Sequence, residues 1–94
     1  MILRWTRAAL LDLDCVGAYL RDRDPQAARR IMAAIRAAVG GLKQFPEIGR
    51  PGRVGGTREL VVTGTPFIVP YRVTGKYVDI LRVYHGARKW PDEL

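Results

Sequence analysis

The dipeptide Asp24-Pro25 sits between two long stretches of helical periodicity and constrains the chain more than any other feature. A proline inside a helix removes a backbone donor and clashes with the preceding turn, but at the first helical position its missing N–H is no loss. With Asp24 as the N-cap, the segment RDRDPQ therefore ends one helix and opens another. Upstream, from Arg7 to about Asp22, Ala9, Leu13, Val16 and Leu20 recur at helical spacing, Leu10 and Gly17 widen that face, and Thr6 offers the N-cap. Downstream, Ala28, Ile31, Ile35, Ala38 or Val39, and Leu42 form a second stripe, with Arg29, Arg30, Arg36 and Lys43 elsewhere on the surface. Gly40 and Gly41 weaken the last turn and Pro46 ends it. So short a connection predicts an antiparallel helix hairpin.

Around the hairpin the periodicity becomes that of strands. ILRWT at the start reads as a short strand with Ile2 and Arg4 on one face and Leu3 and Trp5 on the other. Residues 46 to 59, PEIGRPGRVGGTRE, hold four glycines and two prolines and read as a loop. Three strands follow, roughly Arg58 to Thr63, Pro66 to Val73 and Tyr77 to Tyr84, joined at Gly64 and at Thr74-Gly75-Lys76 as an antiparallel meander. Alternation puts Phe67, Val69, Tyr71 and Val73 on one face of the middle strand, with Ile68, Pro70 and Arg72 on the other; Pro70 implies an edge or a bulge. In the last strand Leu81 and Val83 fall with Tyr77 and Asp79, opposite Val78, Ile80, Arg82 and Tyr84. The expected fold is a single α+β domain over residues 1–94: an N-terminal strand, a helix hairpin and a three-stranded meander, the helices on one sheet face and arginine-bearing strands on the other.

Sixteen Lys plus Arg against nine Asp plus Glu give a net charge of +7, which favours acidic partners. The excess is shared: residues 1–46 carry eight basic and four acidic side chains, residues 47–94 eight and five, so there is no basic tail. All but Lys43, Lys76 and Lys89 of the cations are arginine, suited to bidentate pairing with carboxylate or phosphate. Cys15 is the only cysteine, so no internal disulfide forms; its place in the helical pattern predicts a small buried hydrophobe in a reducing compartment. One His and one Cys make no convincing metal site, and no cofactor is expected. GRPGRVGG lacks the Lys-Ser/Thr ending of a phosphate loop and precedes a strand, which argues against nucleotide binding. Asp12 and Asp14 interrupt the longest early apolar stretch, so neither a signal core nor a membrane span is expected and the cytoplasm is the expected compartment.

Trp5 to Leu13, FPEIGRPGRVGGTREL and RVYHGARKWP, in that order and with the helix hairpin between them, resemble the RelE/ParE family of toxins from bacterial type II toxin–antitoxin pairs. The likeness runs from about Ile2 to Pro91. It implies a small basic toxin neutralised in a hetero-oligomer by a cognate acidic antitoxin, whose partly disordered tail folds onto a basic, hydrophobic groove. It also implies one of two targets. RelE-like members cut messenger RNA on the ribosome, whereas ParE-like members block DNA gyrase without chemistry of their own.

Cleaving RNA through its 2′-hydroxyl needs a base, cations at phosphorus and an acid for the leaving oxygen. If this chain were a ribonuclease, Arg50, Arg53, Arg58 and Arg72 would hold the phosphate while Tyr84 and His85 move protons. Arginine stays protonated and cannot be the base, and aligning the ribonuclease branch's R-L-V-Y motif on residues 68–71 puts Ile68 in the arginine's place. HGAR with a tryptophan two positions after it is more like the gyrase-directed branch. Gyrase is therefore the expected target, contacted through Arg82, His85, Arg88, Lys89 and Trp90, an arginine and aromatic cluster of interface type. Arg58, Arg72 and Arg82 are the expected antitoxin contacts. Plainer roles stand beside these: His85 ending a strand and bonding a loop carbonyl, Arg82 pairing with a carboxylate such as Glu59, and Trp5 and Trp90 as packing residues. A nucleic-acid-binding module without catalysis is a third reading, since +7 attracts any polyanion, but no base-reading motif is present.

Overall fold

The computed structural model describes residues 1–87. Strand β1 (Ile2–Trp5) leads into α1 (Arg7–Arg23), α2 (Pro25–Gly40) and a single 3₁₀ turn (Gly41–Lys43). A two-residue strand β2 (Arg50–Pro51) follows, then β3 (Arg58–Val61), β4 (Phe67–Thr74), β5 (Tyr77–Ile80) and β6 (Tyr84–His85). The caps lie where the sequence puts them. Thr6 Oγ1 accepts from the Ala9 N–H and Asp24 Oδ1 from the Ala27 N–H, with Pro25 in the first turn of α2. Asp24 serves both helices, because its own N–H donates to the Leu20 carbonyl and closes α1. No helix among the described residues is long and apolar enough to cross a membrane.

The strands form one mixed sheet in the order β1-β5-β4-β3-β2, with β6 also paired to β4. β3, β4 and β5 are the expected meander, while β1 joins it parallel to β5, with Leu3 opposite Val78 and Trp5 opposite Ile80. A parallel neighbour needs a crossover between its strands, and the helix hairpin provides it. Ala9 and Leu13 of α1 and Ala28, Ile31, Ile35 and Val39 of α2, followed by Leu42, are buried. They pack on the face carrying Leu60, Phe67, Val69, Tyr71, Val78 and Ile80. Leu10, expected to widen the buried face of α1, is instead 49% exposed. Cys15 is exposed as well, because at about 100° per residue it points roughly 160° away from Leu13, off the buried stripe.

The expected strand over 77–84 is broken. β5 pairs with Tyr71–Thr74 and β6 with Phe67–Ile68, so three residues, Leu81 to Val83, stand opposite two, Val69 and Pro70. That is a one-residue bulge, and Pro70 belongs to its cause. The Leu81 N–H donates to the Pro70 carbonyl at 2.9 Å, but Pro70 has no N–H with which to reciprocate. The Leu81 carbonyl accepts from Thr6 Oγ1 at 2.9 Å instead, so one hydroxyl both caps α1 and completes the sheet. Because side chains alternate, the extra residue reverses the faces beyond it. Val83 joins Val78 and Ile80 in the core rather than lying with Tyr77 and Asp79.

The Gly- and Pro-rich segment is tied to the sheet by Tyr71, whose buried hydroxyl accepts from the Gly49 N–H at 2.9 Å and donates to the Pro46 carbonyl at 2.7 Å. The fit at Gly49 admits no side chain: a Cβ there would lie 2.6 Å from Tyr71 Cε1 and 2.9 Å from the Glu59 carbonyl. Gly49→Ala should therefore destabilise the protein by about 2 kcal/mol through overpacking, read as a lowered denaturation midpoint in urea. Burial pushes the phenols of Tyr71 and Tyr84 above the usual range. A phenol whose folded pKa exceeds its unfolded value of about 10 stabilises the fold fully below that value, and this contribution fades as pH rises toward the folded one. Unfolding free energy should accordingly fall as pH rises past about 10, and Tyr84→Phe should shrink that slope in urea titrations above that pH.

Candidate functional site

The bulge orients the residues on which function was expected to rest. Arg82 pairs with a carboxylate, but with Asp12 of α1 rather than Glu59: its Nε donates to Oδ2 at 2.7 Å and its Nη2 to Oδ1 at 3.1 Å. Asp12 Oδ2 also accepts from the Val83 N–H at 2.9 Å, satisfying backbone that the bulge removes from regular pairing. These bonds, ahead of Asp12's charge, raise the Arg82 guanidinium above its ordinary pKa against the opposing effect of burial. Arg82 also lies over the Tyr84 ring, 4.8 Å from its centre.

His85 is opposite Phe67 and so faces the helix side of the sheet. Its ring meets Phe67 edge-on at 5.7 Å, and its Nδ1 accepts from the Ala87 N–H at 3.2 Å instead of donating to a loop carbonyl. There it borders a cleft of about 460 Å³ between α1 and the start of β4, together with Asp12, Cys15, Val16, Tyr19 and Phe67. The lip of this cleft is a second apolar stripe on α1. Leu11, Cys15 and Tyr19 are exposed and spaced four apart, which places them on one side of the helix. Arg23 lies over the Tyr19 ring, 3.6 Å from its centre, while Leu11 and Cys15 stay exposed, so the cleft and its lip join apolar surface to a cation.

The other arginines are spread around the sheet. Arg58 is paired with Tyr71 on the helix side, and its Nη1 donates to the carbonyls of Glu47 at 3.1 Å and Gly49 at 2.9 Å, a loop-holding role. Arg50 bonds Glu59 Oε1 through Nε at 2.9 Å, and Arg4 forms a two-pronged pair with Asp79. The strands opposite the helices are thus partly self-neutralised rather than a bare cationic surface. Arg72, directly across from Asp79, is hydrogen-bonded to no described residue. Arg53 lies in the exposed loop. Of the residues expected to serve cleavage, Arg72 and Tyr84 lie on one sheet face, His85 and Arg58 on the other. Arg88, Lys89 and Trp90 are outside the described residues. Sequence reasoning missed Asp12, whose only signal was a carboxylate next to the buried stripe of α1, and the apolar lip, hidden because Leu11 and Tyr19 were read as neither core nor site.

The family model for the ParE toxin of the type II toxin–antitoxin system parDE matches residues 3–90. The protein Y4kP of Sinorhizobium fredii is 48% identical over 98% of this chain and 95% of its own length. Toxin RelE2 of Caulobacter vibrioides is 37% identical over 89% of this chain and 93% of its own length. Among solved structures, a chain of the chromosomal ParDE system from P. aeruginosa superposes with a TM-score of 0.83 at 36% identity, covering 90% of this chain and 95% of that one. A chain of the RelBE2 toxin–antitoxin complex from Mycobacterium tuberculosis gives 0.64 at 31% identity, covering 89% and 95%.

The Asp12 contacts should be measurable as a coupling. In a double-mutant cycle with Asp12→Ala and Arg82→Met, the pair should show an interaction of about 1–2 kcal/mol in chemical denaturation, and Asp12→Ala alone should cost more than Arg82→Met because it also strands the Val83 N–H.

Proposed function

This chain belongs to the RelE/ParE family of toxins from type II toxin–antitoxin systems, and from that premise we propose that it acts in the cytoplasm by binding DNA gyrase and halting replication. The single observation that favours gyrase over messenger RNA is the scatter of the cleavage residues across the two sheet faces. Phosphoryl chemistry needs its base, acid and cations within reach of one phosphate. Here Arg58 is engaged with loop carbonyls, Arg82 with Asp12, and His85 with Phe67 and the Ala87 N–H. Ile68 stands opposite Tyr84, offering no charge where the ribonuclease branch places one.

The cognate antitoxin, in this proposal, lays an amphipathic helix along Leu11, Cys15 and Tyr19 with its apolar residues in the cleft, and an acidic flank reaches Arg72, whose guanidinium has no intramolecular partner among the described residues. Arg82 acts by fixing α1 beside the cleft through Asp12, and Arg58 by shaping the loop. Target contact uses the C-terminal stretch, His85 with Arg88, Lys89 and Trp90, in an interface driven by charge and aromatic area. The structural neighbours are themselves toxin–antitoxin assemblies, which supports the antitoxin as partner.

A ribosome-dependent ribonuclease is the second reading, favoured by relatives that carry the name RelE. Purified toxin in a gyrase supercoiling reaction and in a translating extract separates the two. The expected result is inhibited supercoiling with intact messenger RNA, the inhibition weakened by His85→Ala because His85 belongs to the proposed contact. Cuts at defined codon positions that vanish in His85→Ala would replace this proposal with the second reading.

A further inference from the structure

The two helices carry their charge differently. α1 balances Arg7, Arg21 and Arg23 against Asp12, Asp14 and Asp22, whereas α2 holds Arg29, Arg30 and Arg36 and no acidic residue. All three of these arginines are exposed, and none has a hydrogen bond, ion pair or ring contact among the described residues. At about 100° per residue they fall within roughly 120° of one another, on the side of α2 away from the buried stripe of Ala28, Ile31, Ile35 and Val39. Arg29 and Arg36 are seven residues apart, about 10.5 Å along the axis. A surface that serves solubility alone mixes both signs of charge, and this face carries one.

The residues between the cations narrow the partner. Ala33 and Ala37 stand among the arginines, Gly40 follows them, and all three are exposed. A protein partner needs a large side chain to seat in a pocket, and this face offers none besides the arginines themselves. A lipid surface needs apolar residues to insert, and the apolar residues of α2 are committed to the core. Single-stranded nucleic acid is held by stacking its bases on aromatic rings, of which α2 has none. What remains is the phosphodiester backbone of a duplex, to which guanidinium groups bond bidentately and which small side chains allow to come close. The span from Arg29 to Arg36 matches about three nucleotide steps of one strand at 3.4 Å each.

We propose that the outer face of α2 is a duplex-DNA-binding surface, with Arg29, Arg30 and Arg36 each holding a backbone phosphate irrespective of base sequence. Duplex DNA is the polyanion that lies beside the toxin's target in the gyrase reading, and the choice of DNA over RNA rests on that reading.

The test titrates purified toxin into a short fluorescent DNA duplex and, separately, into an RNA duplex of equal length, at salt from about 50 to 200 mM. It compares wild type, the triple variant Arg29→Gln, Arg30→Gln, Arg36→Gln, and a control of equal net charge that changes three cations outside α2, Arg7→Gln, Arg21→Gln, Lys76→Gln. Wild-type affinity for DNA should fall with salt at a log–log slope of about −3 or steeper. The triple variant should bind roughly thirtyfold more weakly at the lowest salt, with the slope reduced by about three, while the control stays within about threefold of wild type. If the triple variant does not melt cooperatively, Arg36→Glu alone carries the comparison, with an expected loss of about tenfold. Triple-variant binding equal to wild type, or an equal loss in the control, overturns the inference. RNA bound more than roughly tenfold tighter than DNA overturns the assignment to DNA, and loss of antitoxin affinity in the triple variant overturns it by giving the face to a protein. The titration contains no gyrase, so its failure leaves the gyrase reading standing. A wild-type toxin that binds DNA through this face yet leaves supercoiling untouched removes the gyrase reading and supports the site.

Discussion

Three N–H groups converge on the carboxylate of Asp12: Nε and Nη2 of Arg82 and the backbone of Val83. All three come from the stretch where the last strand leaves its register, and backbone groups released from a ladder must find other partners or bear a desolvation penalty. Asp12 supplies the acceptor for one end of the bulge, and the Thr6 hydroxyl supplies the donor for the carbonyl at the other. Both side chains belong to the start of α1. The helix therefore determines where the sheet breaks, and the break determines that Val83 enters the core and His85 turns toward the cleft. Without that reversal His85 would lie on the face of Arg72.

The two sheet faces are thus assigned different work. On the helix side the apolar residues of β4 make the core, and beyond its edge the same alternation brings Arg58 and Tyr71 under the loop. On the far side the arginines stand in rows with carboxylates: Arg50 with Glu59, and Arg4 and Arg72 flanking Asp79. A positively charged chain need not present a continuous positive surface. Most of the arginine in the strands holds the molecule together, and exposed cations such as Arg7, Arg29, Arg30 and Arg36 lie on the helices instead.

The hairpin, its caps and nearly every core position were legible because local rules govern them: the helical stripes, Thr6, Asp24-Pro25, and alternation in β4. What was not legible depends on contacts far apart in sequence. The parallel pairing of β1 with β5 leaves no trace in either strand alone. The bulge was hinted at by Pro70, but its position depends on Asp12 and Thr6, about 70 residues away from the strand they complete. Alternation carried through Leu81 to Tyr84 as if the strand were continuous gave those residues the wrong faces. Of the site, the motif residues were visible as a set, whereas their roles were not: Arg58 holds carbonyls and Arg82 holds a helix. Leu11 and Tyr19 were invisible as a surface because an apolar residue on a helix reads first as core.

Asp24 belongs to both helices, ending one through its N–H and starting the other through its carboxylate. No spacer exists between them that could absorb a change in length. Since each helical residue advances the side-chain direction by about 100°, adding or deleting one residue at this junction would rotate the stripe from Ala28 to Val39 off the sheet altogether. Length variation among homologues should consequently be confined to the distal loop and the chain ends, with the corner between the helices held at a single shared residue.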